Sequence, residues 1–221
     1  MDISQEAAAP EQVRTGSSRA VGVIGLVATV MVFTGVNLQD IGHSSEPPFN
    51  SPDSVITDYL TSRNMTLFSI SAYLTVVGMI GLVWFAAGLS SVLRRASPDR
   101  DWMAAVVLAA GATMIGILLG GNWEIAIHYP TSPAAVDFFR SGGLELTNAW
   151  LAMASIALAT AVTILRNRIA PSWLGWWAAV AGVGLIAVRA VPFNNIWLFP
   201  YLLFWLWVVT VCVRMLMGRR L

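Results

Sequence analysis

The chain has 221 residues, 57% of them hydrophobic and only 11% charged, with a formal net charge of +1 and a mean hydropathy of +0.68. Soluble domains carry about a quarter charged residues. The composition therefore excludes a disordered chain, a nucleic-acid binder with a basic face and an ordinary cytosolic enzyme, and it points to a polytopic membrane protein. A single cysteine, Cys212, excludes an intrachain disulfide and a cysteine-based zinc site. All 13 basic residues are arginine, a bias expected of a GC-rich bacterial genome.

A bilayer core about 30 Å thick takes about 20 apolar helical residues to cross. In chain order, residues 1–19 are expected to form a disordered cytoplasmic tail. Residues 20–218 form a transmembrane domain with six spans, at about 21–38, 67–93, 103–127, 144–165, 173–191 and 196–217, and residues 219–221 form a short cytoplasmic tail. The first span follows two arginines, as a signal peptide would, but no small-x-small cleavage site comes after it, so a retained helix is expected. Between the first two spans, Ser51-Pro52-Asp53 reads as N-cap, first helical residue and favourable acid. Val55, Ile56, Tyr59 and Leu60 then share one face of a short helix expected to lie on the outer membrane surface, apolar side down. Ser132-Pro133 starts a similar helix, with Val136, Phe138 and Phe139, which Gly142-Gly143 is expected to end before the fourth span. Both short helices precede spans that run inward, a hint of a repeated helical hairpin. Pro171 opens the fifth span and Pro192 closes it, and Pro200 fits either the first turn of the sixth or a kink near its end.

Arginine placement sets the orientation. Arg14, Arg19, Arg94, Arg95, Arg100, Arg166, Arg168, Arg214, Arg219 and Arg220 fall on one side, and Arg63, Arg140 and Arg189 on the other. The positive-inside rule then puts both termini in the cytoplasm, as an even number of spans requires. Seven acids against three arginines leave −4 outside, and five against ten leave +5 inside. Trp102, Trp173, Trp176 and Trp177 are expected at the cytoplasmic interface, and Trp123 and Trp197 at the outer one. The expected fold is thus an all-α polytopic bundle of six transmembrane helices in the cell membrane, both termini inside, with short interfacial helices in its outer loops.

Motif matches are few. Gly182-Val183-Gly184-Leu185-Ile186-Ala187 fits a dinucleotide-binding pattern, but it lies within a span and follows no strand, so it has no phosphate loop to form. No zinc-protease, Walker or nucleophile-elbow motif occurs. Two histidines, neither at mid-membrane, do not suit a haem held between spans. The central parts of the spans carry no charge, which weighs against an ion-coupled transporter.

One constellation invites a functional reading. The third span carries Ala112, Gly116, Gly120, Glu124 and His128 at steps of four, and the fourth carries Glu145, Asn148, Ala152, Ser155 and Ala159. The fifth places Ala178, Gly182 and Arg189 on one side. Small residues let helices approach closely in lipid. Packed together, these faces would converge Glu124, His128, Glu145, Asn148 and Arg189 at the outer boundary, with Asn122, Asp40 and His43 in reach. Such a cluster is a candidate pocket for a lipid or small molecule, with Arg189 gripping a phosphate or carboxylate. It is also a candidate metal centre, Glu124 and His128 lying one turn apart and Glu145 as a third ligand. The simpler reading is interfacial charge at helix ends, with Arg189 and a glutamate locking the bundle. Cys212 reads as a packing residue, and Trp84, Trp205 and Trp207 as lipid-facing or packing residues. Gly78, Gly81 and Gly88 lack an assigned partner, which suggests a homo-oligomer or a membrane partner subunit.

The layout resembles that of six-span bacterial integral membrane proteins of about this size. The resemblance is carried by Ser51-Pro52-Asp53-Ser54-Val55, Phe85-Ala86-Ala87-Gly88-Leu89 with Arg94-Arg95, and Pro171-Ser172-Trp173-Leu174-Gly175-Trp176. It implies the architecture and carries no activity with it. The leading functional expectation is a non-enzymatic binding, sensing or accessory subunit with a lipid or small-molecule pocket at the outer leaflet and no cofactor. The alternatives are a membrane-embedded metal-dependent hydrolase or transferase using Glu124 and His128, and a small transporter or flippase for a hydrophobic solute.

Overall fold

A computed structural model describes residues 9–39, 46–97, 101–120, 123–190 and 195–218, with the backbone alone for 9–17, 39, 123, 124, 143–146 and 195. The elements are α1 (Ala9–Gln39), α2 (Asp53–Ser62), α3 (Met65–Ala96), α4 (Asp101–Leu119), α5 (Trp123–His128), α6 (Pro133–Asn167), α7 (Ser172–Arg189), a 3-10 turn (Asn195–Trp197) and α8 (Leu198–Leu216). Six of them, α1, α3, α4, α6, α7 and α8, are long and apolar enough to cross a membrane. The described chain contains no strand. Asp40, His43 and Asn122 lie outside the described residues.

The six long helices form a closed ring. Each packs on its neighbours in the order α1, α3, α4, α6, α7, α8, and α8 returns to α1. The connections from α3 to α4, α6 to α7 and α7 to α8 are short, as suits antiparallel neighbours, whereas those from α1 to α3 and α4 to α6 carry α2 and α5. In lipid no hydrophobic force draws apolar helices together, so close approach through small residues and interhelical hydrogen bonds must hold them. Glycines form the α1–α3 seam. A Cβ on Gly78 would meet Val32 and the Ala28 carbonyl at 2.8–2.9 Å, one on Gly81 would meet the Ala28 Cβ at 2.7 Å, and one on Gly88 would meet Val21 at 2.3 Å. These glycines therefore have a partner within the chain, in α1. The α7–α8 seam is laced by indoles: Trp177 Nε1 donates to the Leu203 carbonyl (3.0 Å) and Trp207 Nε1 to that of Leu174 (3.2 Å). Between α3 and α4, Ser90 Oγ donates to the Ala104 carbonyl (2.7 Å). Cys212 is fully buried against Gly25 on the α1–α8 seam, the packing role expected of it.

Four boundaries differ from the sequence reading, each for a local reason. Helix α1 begins at Ala9, within the expected tail: Pro10 sits in the first turn, where its missing N–H breaks no helical hydrogen bond, and extending a formed helix costs far less than nucleating one. Helix α2 begins at Asp53 after Pro52, and the Ser51 side chain caps nothing there. The expected third span, 103–127, is split: α4 stops at Leu119, and α5 is a separate six-residue helix. Gly120, Gly121 and Asn122 are poor helix formers, and the glycines have no side chain to anchor a continuation. Conversely, Gly142-Gly143 ends nothing, and α6 runs unbroken for 35 residues. Its start is capped by Ser132, whose Oγ accepts from the Ala135 N–H (3.2 Å), with Pro133 in the first turn. Packed side chains on both sides of the glycine pair, Phe139 and Trp150, offset the cost of about 1 kcal/mol per glycine.

At about 1.5 Å per residue, α6 is about 50 Å long and exceeds the apolar core of a bilayer by about 20 Å. Its N-terminal turns carry a second, small core. Ile56, Tyr59 and Leu60 of α2 pack on Ala135, Val136 and Phe139 of α6, with Ile125 of α5 alongside. The apolar face of α2 is thus covered by protein, and Val55, expected on that face, is exposed.

Candidate functional site

The end of the ring that carries this cap is the end poor in arginine. Its three arginines are each tied to a named partner. Arg140 of α6 pairs with Asp53, and its Nη2 donates to the Ser51 carbonyl at 3.0 Å, fastening the start of α2. Arg63, just past the end of α2, donates from Nη2 to the Tyr59 hydroxyl at 2.7 Å. Its guanidinium lies 4.4 Å from the Tyr59 ring centroid and 4.7 Å from that of Phe68. This stacking suits the planar, weakly hydrated arginine head. Arg189, at the end of α7, donates from Nη2 to Asn148 Oδ1 of α6 at 3.3 Å. Phe139 stands at the centre of the cap, with ring centroids 5.7 Å from Tyr59 and 5.4 Å from Phe49.

The expected polar cluster is brought together only in part. Asn148 and Arg189 meet, and Gly182 of α7 packs on α6, but beside the expected stripe: its Cβ would meet Leu158 at 2.8 Å and the Ala154 carbonyl at 3.1 Å. Ala178 of α7 and Ala152 and Ala159 of α6 are buried on these two helices. The stripe on α4 behaves differently. Ala112, Gly116 and Gly120 are exposed, and a Cβ on Gly116 would meet nothing within 4 Å. The packing face of α4 is instead Ala104, Val107, Gly111, Met114 and Ile115. His128 sits exposed at the end of α5, its ring 6.5 Å from that of Tyr129. No hydrogen bond among the described residues ties it to Asn148 or Arg189. The backbone of α5 keeps Glu124 and His128 four residues apart on one helix. The side chains of Glu124 and Glu145 lie outside the described residues, as does Asn122. Among the described residues, no three histidine, cysteine or acidic side chains gather as a metal centre would need.

The ring's interior is filled by aromatic side chains. Trp150 of α6 stacks on Trp197 at 5.4 Å and an interplanar angle of 20°. The series continues along α8 through Tyr201, Trp205, Phe204 and Trp207, at centroid spacings of 5.6–6.2 Å. Trp205 and Trp207 are thus packing residues, whereas Trp84 is 66% exposed. Trp197, expected in the outer aromatic belt, is drawn in to stack on Trp150. A cavity of about 20 Å³ remains among Leu82, Phe85, Met114, Ile156, Phe204 and Trp205. That is room for about one water molecule, and its walls are apolar.

The cap is what sequence reasoning missed. Its signal was present: two short amphipathic segments, in different outer loops, each with an apolar face. Each was assigned to the membrane surface, although pairing buries both faces equally well. The chain was compared with protein-family models, curated proteins and solved structures, and it matches none of them.

Proposed function

We propose that this chain is a multi-pass protein of the cell membrane, with both termini in the cytoplasm. On this reading it is a non-catalytic binding, sensing or accessory subunit that presents its helical cap at the outer surface. The observation that carries the reading is the cap itself: a second core built on the projecting turns of α6, with α2 fastened at both ends by arginine. A segment that only connected two spans would need neither device. The aromatic packing of the interior supports this over a transporter, since a solute path needs more room than the cavity of about 20 Å³ among Leu82, Phe85 and Trp205. The Asn148–Arg189 pair reads as a fastening between α6 and α7, and it is the part of the outer polar cluster available to a phosphate or carboxylate ligand.

Two measurements test the proposal. The first uses a Cys212→Ala background with single cysteines at Asp58, Asp137, Arg94 or Arg168, labelled in intact cells by an impermeant maleimide. The first two positions should label and the last two should not; the reverse pattern overturns the orientation. The second compares co-purifying lipids and proteins from native membrane discs for the wild type and Phe139→Ala. A binding role predicts a species lost with the cap. Turnover of a defined substrate that is abolished by Glu124→Gln would replace this reading with an enzymatic one.

A further inference from the structure

At the end of the ring opposite the cap, the arginines whose side chains are described are Arg19, Arg94, Arg95, Arg166, Arg168 and Arg214, and the acid whose side chain is described is Asp101. Arg95 Nε donates to the Ser91 carbonyl at 3.1 Å. Arg94, Arg166 and Arg168 are exposed, and their side chains make no hydrogen bond or ion pair among the described residues. Around them stand exposed indoles in the first turns of α4 and α7: Trp102 at 57%, Trp173 at 49% and Trp176 at 63%. Trp177, expected with them, is turned inward to the Leu203 carbonyl. Exposed tryptophan at a helix start marks headgroup depth, so these arginines sit level with lipid phosphates.

Arg168 adds a separate observation. It closes α6 at φ +52, the one non-glycine residue in the left-handed region among the described residues. Glycine is the unstrained choice at that position. An arginine held there at a conformational cost, with its charge unpaired, marks a position where the side chain has a use.

We propose that the α6–α7 turn is a docking surface for the phosphate headgroup of an anionic phospholipid. Arg166 and Arg168 supply the guanidinium donors, and Trp173 and Trp176 set the depth. Arginine's fork matches phosphate oxygens bidentately, and basic side chains close to a membrane surface favour anionic lipid. The proposal rests on the six-span reading but not on any role of the cap.

The test is lipid retention by the full-length protein in nanodiscs of phosphatidylglycerol mixed with phosphatidylcholine, read by native mass spectrometry. Both leaflets of a nanodisc have the same composition, so the result does not depend on orientation in the cell, and a failure of the topology reading remains separable. The wild type should retain phosphatidylglycerol selectively. Arg168→Gly and Arg166→Gln should each lower that preference about fivefold, and the pair should lower it by about 25-fold. Arg168→Gly is the decisive variant, because glycine relieves the left-handed backbone: thermal stability should hold or rise while the lipid preference falls. Arg63→Gln, at the other end, should leave the preference unchanged. Equal retention of the two lipids by the wild type, an unaltered preference in Arg168→Gly, or an equal loss in Arg63→Gln would each overturn the proposal.

Discussion

At the capped end of the ring, Arg63, Arg140 and Arg189 each have a partner in the chain: a phenol and two rings, a carboxylate and a backbone carbonyl, and an amide. At the opposite end Arg94, Arg166 and Arg168 point outward with none among the described residues. The same side chain fastens helices at one end and presents free charge at the other. The difference follows from what each end must hold. Turns of α6 that extend past the apolar core of a bilayer need protein partners to bury their apolar residues, and the cap core with its arginine fastenings supplies them. On the proposed membrane reading, the helices at the other end stop at headgroup depth and need nothing beyond the seam that already holds them.

This contrast can be broken at its strongest point first. Phe139→Ala removes the central ring of the cap core and should destabilise the cap by about 3–5 kcal/mol. Hydrogen exchange should then show α2 and the first turns of α6 losing protection while α3 and α8 keep theirs; uniform loss would mean that the cap and ring are one cooperative unit. Arg63→Ala removes a hydrogen bond and two ring contacts and should cost about 1–2 kcal/mol, visible as faster proteolysis between α2 and α3. Arg140→Ala should cost about 1 kcal/mol, because its ion pair with Asp53 is partly exposed and screened, and that loss should shrink in high salt. Gly142→Ala should raise stability by about 0.5–1 kcal/mol, since the glycine lies within α6 and its Cβ position is open. A fall in the melting temperature would instead show that the α6 helix is interrupted there. Arg94→Gln should change stability by less than about 0.5 kcal/mol, so a loss comparable to that of Arg140→Ala would erase the distinction between the ends.

Legibility from sequence varied along the chain in the same way. The number of long apolar helices and the approximate place of each could be read directly, although α4 stops early at Leu119 and α6 starts early at Pro133. Gly182 does lie against α6, though at Leu158 and Ala154 and not at the expected stripe, and the packing role of Cys212 also read correctly. The stripe on α4 did not. Steps of four between small residues describe a face, but they do not say whether that face meets a helix or lipid, and Gly116 meets neither helix nor side chain. The larger residues Val107, Met114 and Ile115 form the contact instead. The glycine pairs misled in both directions. Gly120 stands where α4 ends, and Gly142-Gly143 stands within α6, because packed neighbours on either side decide the outcome and local propensity is only about 1 kcal/mol per residue.

What the sequence by itself determined is the element inventory: six apolar segments of spanning length, and a strong imbalance of arginine between their ends. Both follow from transfer costs that act residue by residue, and these need no knowledge of neighbours. What only the tertiary structure decided is pairing. It put α2 onto α6 instead of onto a surface, Gly78, Gly81 and Gly88 onto α1, and Arg189 onto Asn148, and it left Arg166 and Arg168 without a side-chain partner among the described residues. Two apolar faces or two charges of suitable type satisfy the same composition in many combinations, and the geometry of the closed ring selects among them.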